Sequence, residues 1–145
     1  MKTESMSATD QNPAENNDEA DLRELIGRWS KAVRDQNLAG IRADHDPEIL
    51  MFDVPPPFLS RGLDAYMVTW KTFFAWSTKP VAFDFHDVEV TAGPDVAFAT
   101  AIGRCCGTEC NGEKIQLEFR LTMGFRKRNG RWCIVHEHHS LPATD

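Results

Sequence analysis

The sequence predicts one α+β domain in which three N-terminal helices pack against a curved antiparallel sheet. Before Pro80 the apolar residues recur at intervals of three and four, which is the period of amphipathic helices. After Pro80 they alternate along four segments that turn residues separate, as they do in strands. Helices followed by a run of strands are typical of an α+β domain, and 145 residues suffice for one.

The N-terminal segment 1–17 is predicted to be a disordered acidic tail, which leaves 18–145 as the domain. Residues 1–21 contain six acidic residues and one lysine, whereas the rest of the chain is nearly neutral. A segment this polar buries too little apolar surface to offset the entropy of ordering it.

The charge and hydropathy of the sequence indicate that several classes of function do not apply, because it lacks a basic stripe and a long apolar segment. Because no stripe of basic residues is present, neither nucleic acid nor a membrane is expected as a partner. No apolar run approaches the ~20 residues that cross a bilayer, and the polar N-terminus does not resemble a secretory signal. A cytoplasmic location is therefore expected, where the four cysteines are reduced thiols.

The first predicted helix runs from Asp18 to Gln36 and the second from Leu38 to His45. The first carries an apolar stripe with helical spacing, formed by Leu22, Leu25, Ile26, Trp29 and Val33. Asp46-Pro47 ends the second, because the residue before a proline disfavours helical backbone.

A short buried strand is predicted over Ile49–Asp53. Pro55-Pro56-Pro57 ends it, because proline donates no hydrogen bond to a sheet. The third helix follows from Gly62 to Ser77. Its apolar stripe consists of Leu63, Tyr66, Met67, Trp70, Phe73 and Phe74.

Four long strands complete the predicted sheet, over Ala82–Thr91, Val96–Cys106, Lys114–Arg128 and Arg131–Leu141. The turn sequences between them are Gly93-Pro94-Asp95, Asn111-Gly112 and Asn129-Gly130.

Two of these strands have faces that differ in bulk. In the strand 114–128, the apolar face that must meet the helices carries Phe119, Leu121, Met123 and Phe125. In the strand 96–106, the set expected to face the helices is Val96, Phe98, Thr100, Ile102 and Arg104. The small set is Ala97, Ala99, Ala101 and Gly103. It is expected outside, where it leaves a flat surface for a homodimer beside Trp132 and His136.

The last strand is open to two interpretations. One face carries Trp132, Ile134, His136, His138 and Ser140, and the other carries Cys133, Val135, Glu137 and His139. A two-residue turn at Asn129-Gly130 places the His136 face with Phe125, whereas a bulged three-residue turn places the Glu137 face there. The residues alone do not decide, because a slip of one residue exchanges the two faces.

This order of elements resembles the nuclear transport factor 2-like superfamily, and within it the SnoaL-like and ketosteroid-isomerase-like proteins. The hairpin from Phe125 through Arg-Lys-Arg-Asn-Gly-Arg-Trp to Ser140 also resembles the association domain of calcium/calmodulin-dependent protein kinase II. The resemblance spans about residues 18–142. It implies a cone-shaped sheet that encloses a cavity with the three helices, and homodimers formed through the outer sheet face.

The resemblance also implies the bulged three-residue turn in the final hairpin. Val135, Glu137 and His139 are then expected to line the cavity. His136 and His138 are expected on the outer face of the sheet, where such proteins dimerise.

Three residues are candidates for catalysis: Asp53, Glu137 and His139. Asp53 matches the place where ketosteroid isomerases carry an aspartate as general base, and a carboxylate in an apolar cavity can shuttle a proton beside a carbonyl group. Alternatively, Asp53 caps its loop or pairs with Arg61. Glu137 and His139 form an acid–base pair if their face meets the cavity; alternatively, a buried Glu137 pairs with Arg104.

The residues expected to line the cavity and bind a ligand are Trp29, Trp70, Arg104, Phe119 and Met123. Ketosteroid isomerases build an oxyanion hole from a tyrosine and a protonated aspartate, where this chain carries Trp29 and Met123 (or its neighbour Thr122). Neither Trp29 nor Met123 is an acid of that strength, so true ketosteroid isomerase activity is not expected.

Two further patterns are interpreted as structural. His136 and His138 have the spacing of metal ligands on a strand, but the resemblance places both outside, so no metal site is predicted. Cys105, Cys106 and Cys110 lack the paired spacing of a metal or redox motif and are interpreted as small side chains near a strand end. No cofactor is predicted.

Two hypotheses of function follow. The first is an enzyme that binds a small apolar carbonyl compound and isomerises, dehydrates or cyclises it by proton transfer, with Asp53 as base and Glu137 or His139 assisting. The second is a non-catalytic module for ligand binding or assembly. A void of about 300 Å³ or more with polar groups favours the first, and a cavity filled by Trp29, Trp70 and phenylalanine rings favours the second.

Overall fold

A computed structural model describes residues 13–109 and 112–144 of the chain. Its helices are α1 (Pro13–Arg34), α2 (Leu38–Ala43) and α3 (Leu63–Trp76). Its strands are β1 (His45–Phe52), β2 (Ser60–Arg61), β3 (Ser77–Ala92), β4 (Val96–Glu109), β5 (Lys114–Arg128) and β6 (Arg131–Ser140). They form one curved sheet in the order β2-β1-β6-β5-β4-β3, which confirms the predicted α+β fold.

The sheet is antiparallel except where β1 runs parallel to β6. This pairing matches Met51 with Glu137 and Phe52 with His138. The carboxyl end of β1 therefore lies beside the carboxyl end of β6, and Asp53 follows directly after the last pair.

Helix α1 begins at Pro13, earlier than the predicted start at Asp18. Residues 13–17 of the predicted tail are thus helical, and residues 1–12 lie outside the described part of the chain. The first turns are held by Asp18, whose buried carboxylate accepts hydrogen bonds from Lys127 Nζ at 2.7 Å and Trp132 Nε1 at 3.1 Å. None of the helices in the described ranges is long and apolar enough to cross a bilayer.

His45 was expected to end the second helix, but it is the first residue of β1. Helix α2 stops at Ala43, and the backbone N–H of Ile134 donates to the carbonyl of Asp44 at 2.8 Å. This bond ties the chain to β6 one residue before His45. The exchange of helix for strand turns the His45 side chain into the core, where none of it is exposed.

The faces of β4 are the reverse of the prediction. The small set, Ala97, Ala99, Ala101 and Gly103, is buried on the inner face. The bulky set is outside, where Val96 and Phe98 are about half exposed. The partner strand explains the reversal, because Ala97, Ala99, Ala101 and Gly103 pair with Phe125, Met123, Leu121 and Phe119 of β5. A close-packed interior has room for one large side chain in each such pair, not two.

The β5–β6 hairpin combines features of the two interpretations. Asn129 and Gly130 form a two-residue turn, since Arg128 pairs with Arg131 and both turn residues have positive φ, 53° and 77°. The bulge lies farther along, at Val135, between the pairs Phe125–Ile134 and Gly124–His136.

This bulge switches the inner face of β6 partway along the strand. Before it, Trp132 and Ile134 are buried, so the expected position of Trp132 on the outer face is wrong. After it, Glu137 and His139 are buried, as the resemblance implied. Val135 is itself only half-buried and is not the cavity residue that was expected.

Candidate functional site

Where the cavity was predicted, the inner face of the sheet carries a cluster of rings formed by Trp29, Trp70, Phe85 and His139, and we call this region the hollow. The rings are in direct contact with one another through Trp29. Trp29 stacks on Phe85 with ring centroids 5.3 Å apart, and its edge meets Trp70 at 6.4 Å. His139 lies at the rim of this cluster, stacked on Phe119 at 5.4 Å.

Glu137 is the centre of a buried polar network on the wall of the hollow. Its Oε1 lies 2.9 Å from Nε2 of His139. Its Oε2 accepts a hydrogen bond from the Tyr66 hydroxyl at 2.8 Å and lies 2.5 Å from Nε2 of His45. The side chains of Glu137 and His45 have no exposed surface, whereas that of His139 retains 9%. Because Tyr66 is also fully buried, His139 is the most accessible member of the network.

Two members of this network, His45 and Tyr66, were not predicted as site residues. Tyr66 was predicted only as a member of the apolar stripe of α3. His45 was assigned to a helix end. The two rings stack at 4.5 Å, and Nδ1 of His45 lies 2.6 Å from the carbonyl oxygen of Ile41. Their partner Glu137 is distant in sequence, so no local pattern indicates the contact.

The network shifts the protonation of its members in opposite directions. Burial alone raises the pKa of Glu137, but the attraction of His45 and the hydrogen bonds from His139 and His45 outweigh it and bring this pKa down to about 2. Burial alone lowers the pKa of His139, but its hydrogen bond to Glu137 and the charges of Glu137 and Asp53 raise it overall. Burial and the neighbouring Glu137 charge raise the pKa of Tyr66 well above its ordinary value.

Asp53 lies within electrostatic reach of His139, since its charge contributes to the raised pKa of that imidazole. Its own carboxylate accepts a hydrogen bond from the backbone N–H of Val54 at 2.8 Å. The described residues include no ion pair between Asp53 and Arg61. The structure thus brings together the three residues predicted for catalysis.

The indole N–H groups of Trp29 and Trp70 are buried donors that lack a hydrogen-bond partner in the described part of the chain. Both approach the Tyr66 hydroxyl closely enough to lower its pKa, although neither reaches hydrogen-bonding geometry. A buried donor without an acceptor costs about 1–3 kcal/mol.

The predicted role of Arg104 in the hollow is wrong. It lies on the outer face, where its guanidinium is half exposed and 3.6 Å from Asp84. The reversed faces of β4 are the reason, and Glu137 finds its partners in the two histidines instead. Met123 and Phe119 are on the inner face as expected, and Met123 pairs with Glu137 across β5 and β6.

Two open grooves lie elsewhere on the surface. One, of about 500 Å³, runs along α1 and α2 to Arg131, and the other, of about 250 Å³, lies between α1 and β3. Neither is lined by Asp53, Glu137 or His139.

His136, His138 and the cysteines were interpreted as structural. No group of three metal-binding side chains occurs within residues 13–109 and 112–144. Cys105 is buried, which raises its pKa to about 11. Cys110 lies outside the described residues.

The model of the SnoaL-like domain family matches residues 22–144. A nuclear transport factor 2-like protein of unknown function from Pseudomonas putida is 32% identical, with a TM-score of 0.79 over 88% of this chain and 88% of that one. A Xanthomonas campestris protein, provisionally assigned as a calcium/calmodulin dependent protein kinase II association domain, is 19% identical, with a TM-score of 0.72 over 92% and 94%.

A further similar structure is a nuclear transport factor 2-like protein with a cystatin-like fold from Novosphingobium aromaticivorans. It is 17% identical, with a TM-score of 0.77 over 90% of this chain and 85% of that one. No curated protein matches the sequence. Because the family model covers most of the chain and the Pseudomonas putida protein is alike over nearly its whole length, the chain belongs to the SnoaL-like domain family of nuclear transport factor 2-like proteins.

Proposed function

We propose that the protein binds a small, mostly apolar carbonyl compound in the hollow and transfers a proton to or from it. The observation that carries this proposal is the hydrogen bond between His139 Nε2 and Glu137 Oε1. It orients the imidazole and leaves Nδ1 without a partner among the described residues. An imidazole held by a buried carboxylate is a common arrangement for a general acid or base.

The chemistry requires two proton-transferring groups near each other. Asp53, as a carboxylate, can take a proton from the carbon next to the carbonyl group. His139, whose pKa is raised, keeps its proton to a higher pH than a free imidazole and can return one to another carbon or to a leaving oxygen. The two groups are restored when Asp53 releases its proton and His139 takes one up, directly or through solvent. An isomerisation then needs no further reactant, and a dehydration releases only water.

Recognition of the substrate oxygen is assigned to the tryptophans. The N–H groups of Trp29 and Trp70 lack acceptors in the described structure. A carbonyl oxygen between them satisfies both donors, and negative charge that develops on it during proton abstraction strengthens the two hydrogen bonds. The rings around them suit an apolar ligand body. The Trp29 and Phe85 rings must part to admit it.

Proton transfer can be tested before the natural substrate is known. We suggest 2-tetralone, a planar apolar ketone, dissolved in D₂O with the full-length protein, and NMR to follow loss of its α-proton signals. Wild-type protein is expected to accelerate the exchange, and His139→Gln to abolish the acceleration. His138→Gln is the matched control, because His138 is the exposed neighbour on the opposite face. Equal rates for the two variants, or no acceleration by wild type, contradict the proposal.

A non-catalytic assembly module is the second candidate. It is favoured by the rings that occupy the hollow and by the half-exposed Val96 and Phe98 on the outer sheet face. In this case we expect a homodimer through that face and no turnover. It accounts less well for a buried network of a carboxylate, a phenol and two imidazoles.

A further inference from the structure

The side chain of His45 is fully buried and bonds to the oxygen of Glu137 that His139 does not use. We propose that His45 is a positioning residue: it saturates one oxygen of Glu137, so that the other oxygen holds His139 with Nε2 protonated and Nδ1 left for the ligand. The effect of this positioning on proton transfer rests on the proposed function, but the positioning itself can be tested without a substrate.

The outer nitrogen of His45 is fixed as a hydrogen-bond donor. Its Nδ1 lies 2.6 Å from the carbonyl oxygen of Ile41, near the end of α2. A carbonyl oxygen can only accept a hydrogen bond, so Nδ1 must carry a proton. The ring is thereby fixed in one orientation, and its other nitrogen, Nε2, points to Glu137.

A proton lies in the short contact between His45 and Glu137. Nε2 of His45 lies 2.5 Å from Oε2 of Glu137, and two acceptors at that distance without a proton would repel each other. One proton therefore lies between them. The Tyr66 hydroxyl also donates to Oε2, and a carboxylate that receives several donors is stabilised in its ionised form. The proton then belongs to His45, and a buried imidazolium–carboxylate pair results.

His139 bonds to the other oxygen of Glu137. With Oε2 occupied by His45 and Tyr66, the ionised Glu137 has Oε1 left as an acceptor. Nε2 of His139 must donate to it, which leaves the lone pair of the neutral ring on Nδ1. If Glu137 were neutral, its hydroxyl could instead donate to Nε2 and put the ring proton on Nδ1. His45 thus decides which nitrogen of His139 can exchange a proton with a ligand.

The titratable groups around this pair come from the end of β1, from β6 and from α3. Asp53, after β1, and Glu137, on β6, are the carboxylates that act on His139. On α3 the titratable neighbour is Tyr66; α1 and β5 contribute the uncharged rings Trp29 and Phe119.

The two aspartates that flank His45 in sequence have other partners. Asp44 pairs with Arg28 and Arg131, and Asp46 pairs with Arg128. Glu137 is therefore the carboxylate that holds the proton of His45.

The test is ¹⁵N and ¹³C NMR of the histidine rings in the full-length protein without ligand. In the wild type we expect both nitrogens of His45 to carry protons, one toward Ile41 and one toward Glu137. Above its titration midpoint, His139 should have its proton on Nε2. A neutral His45, or a His139 ring protonated on Nδ1, overturns the inference without any variant.

Variants test the direction of the coupling. In His45→Gln the amide can still donate to Glu137 but carries no charge. The buried positive charge that opposes protonation of His139 is then gone, so the His139 titration should move to higher pH. His136→Gln is the matched control, because His136 bonds to the carbonyl of Leu50 on the outer face. An unchanged His139 titration in a folded His45→Gln protein overturns the inference. If the NMR results hold but 2-tetralone exchange is not catalysed, only the proposed function fails.

Discussion

The ring of Phe119 lies directly on Gly103, its partner across β4 and β5. A Cβ atom at residue 103 would come within 2.3 Å of Cζ of Phe119, so a larger residue does not fit beneath the ring. Phe119 also stacks on His139 and on Phe83, at 5.4 and 6.0 Å. The missing side chain at Gly103 therefore allows Phe119 to form a flat support for the imidazole of the candidate site.

Gly103→Ala is expected to destabilise the fold by about 1–3 kcal/mol, because the ring of Phe119 is packed on both sides and cannot move away freely. Urea unfolding measures the change. Gly124→Ala on β5 is the matched control, because its Cβ would meet His136 at an ordinary 3.4 Å, and its effect should stay within about 0.5 kcal/mol. Equal losses in both variants would show that the contact with Phe119 is not the cause.

The same pair explains what the sequence could not predict about β4. Alternation in the segment 96–106 correctly indicates a strand with two different faces. By apolarity alone, Phe98 belongs inside and Ala99 outside. The choice is made by the volume on the neighbouring strand, where large residues already fill the inner layer. Periodicity therefore predicts that the faces exist, and the partner strand determines which is buried.

The candidate site could be predicted only in part, because contacts between separate elements complete it. Asp53, Glu137 and His139 have residue types and positions that indicate chemistry. The bulge at Val135, which turns Glu137 inward, follows from how β6 pairs with β5 and leaves no clear mark in the sequence. His45 and Tyr66 reach Glu137 from separate elements, and their partners become evident only in the folded chain.

Acid stability is expected to depend on Glu137. Its pKa in the folded protein is about 2, below the ordinary value of 4.5. The ionised carboxylate therefore contributes stability that is complete above about pH 4.5 and is lost as the pH falls toward 2. In Glu137→Gln this contribution is absent, so the free energy of unfolding should fall less steeply over that range.

Urea unfolding at several pH values measures these slopes. Glu118→Gln, a change at an exposed carboxylate on the outer face, is the matched control and should keep the wild-type slope. Asp18 adds to the wild-type slope in the same sense, because its hydrogen bond from Lys127 lowers its pKa despite burial. A Glu137→Gln slope equal to that of the wild type would contradict the role given to the network.

Asp53→Asn should slow proton exchange while leaving the stability of the fold nearly unchanged. Asparagine keeps an oxygen that can accept from the Val54 N–H, so the free energy of unfolding should change by no more than about 0.5 kcal/mol. The loss of negative charge should lower the pKa of His139, since Asp53 is one of the groups that raise it. Exchange of 2-tetralone protons should slow by about 100-fold or more. Unchanged exchange would remove Asp53 from the mechanism.

The outer sheet face should hold a homodimer, although its composition differs from the one expected. The half-exposed Phe98 and Val96 of β4 take the place of the predicted alanines. Aromatic side chains at the centre of an interface contribute much of its binding energy. Phe98→Glu places an unpaired charge there and should convert the dimer to a monomer at micromolar concentration, as measured by light scattering.

The control for this substitution is Val68→Glu on α3, a residue that is exposed to a similar extent, 55% against 51%, but lies away from the sheet face. It should leave the dimer intact, because it adds the same charge without touching the outer face of β4. Dissociation in both variants would point to a general effect of charge. A wild-type protein that is monomeric at micromolar concentration would exclude the dimer altogether.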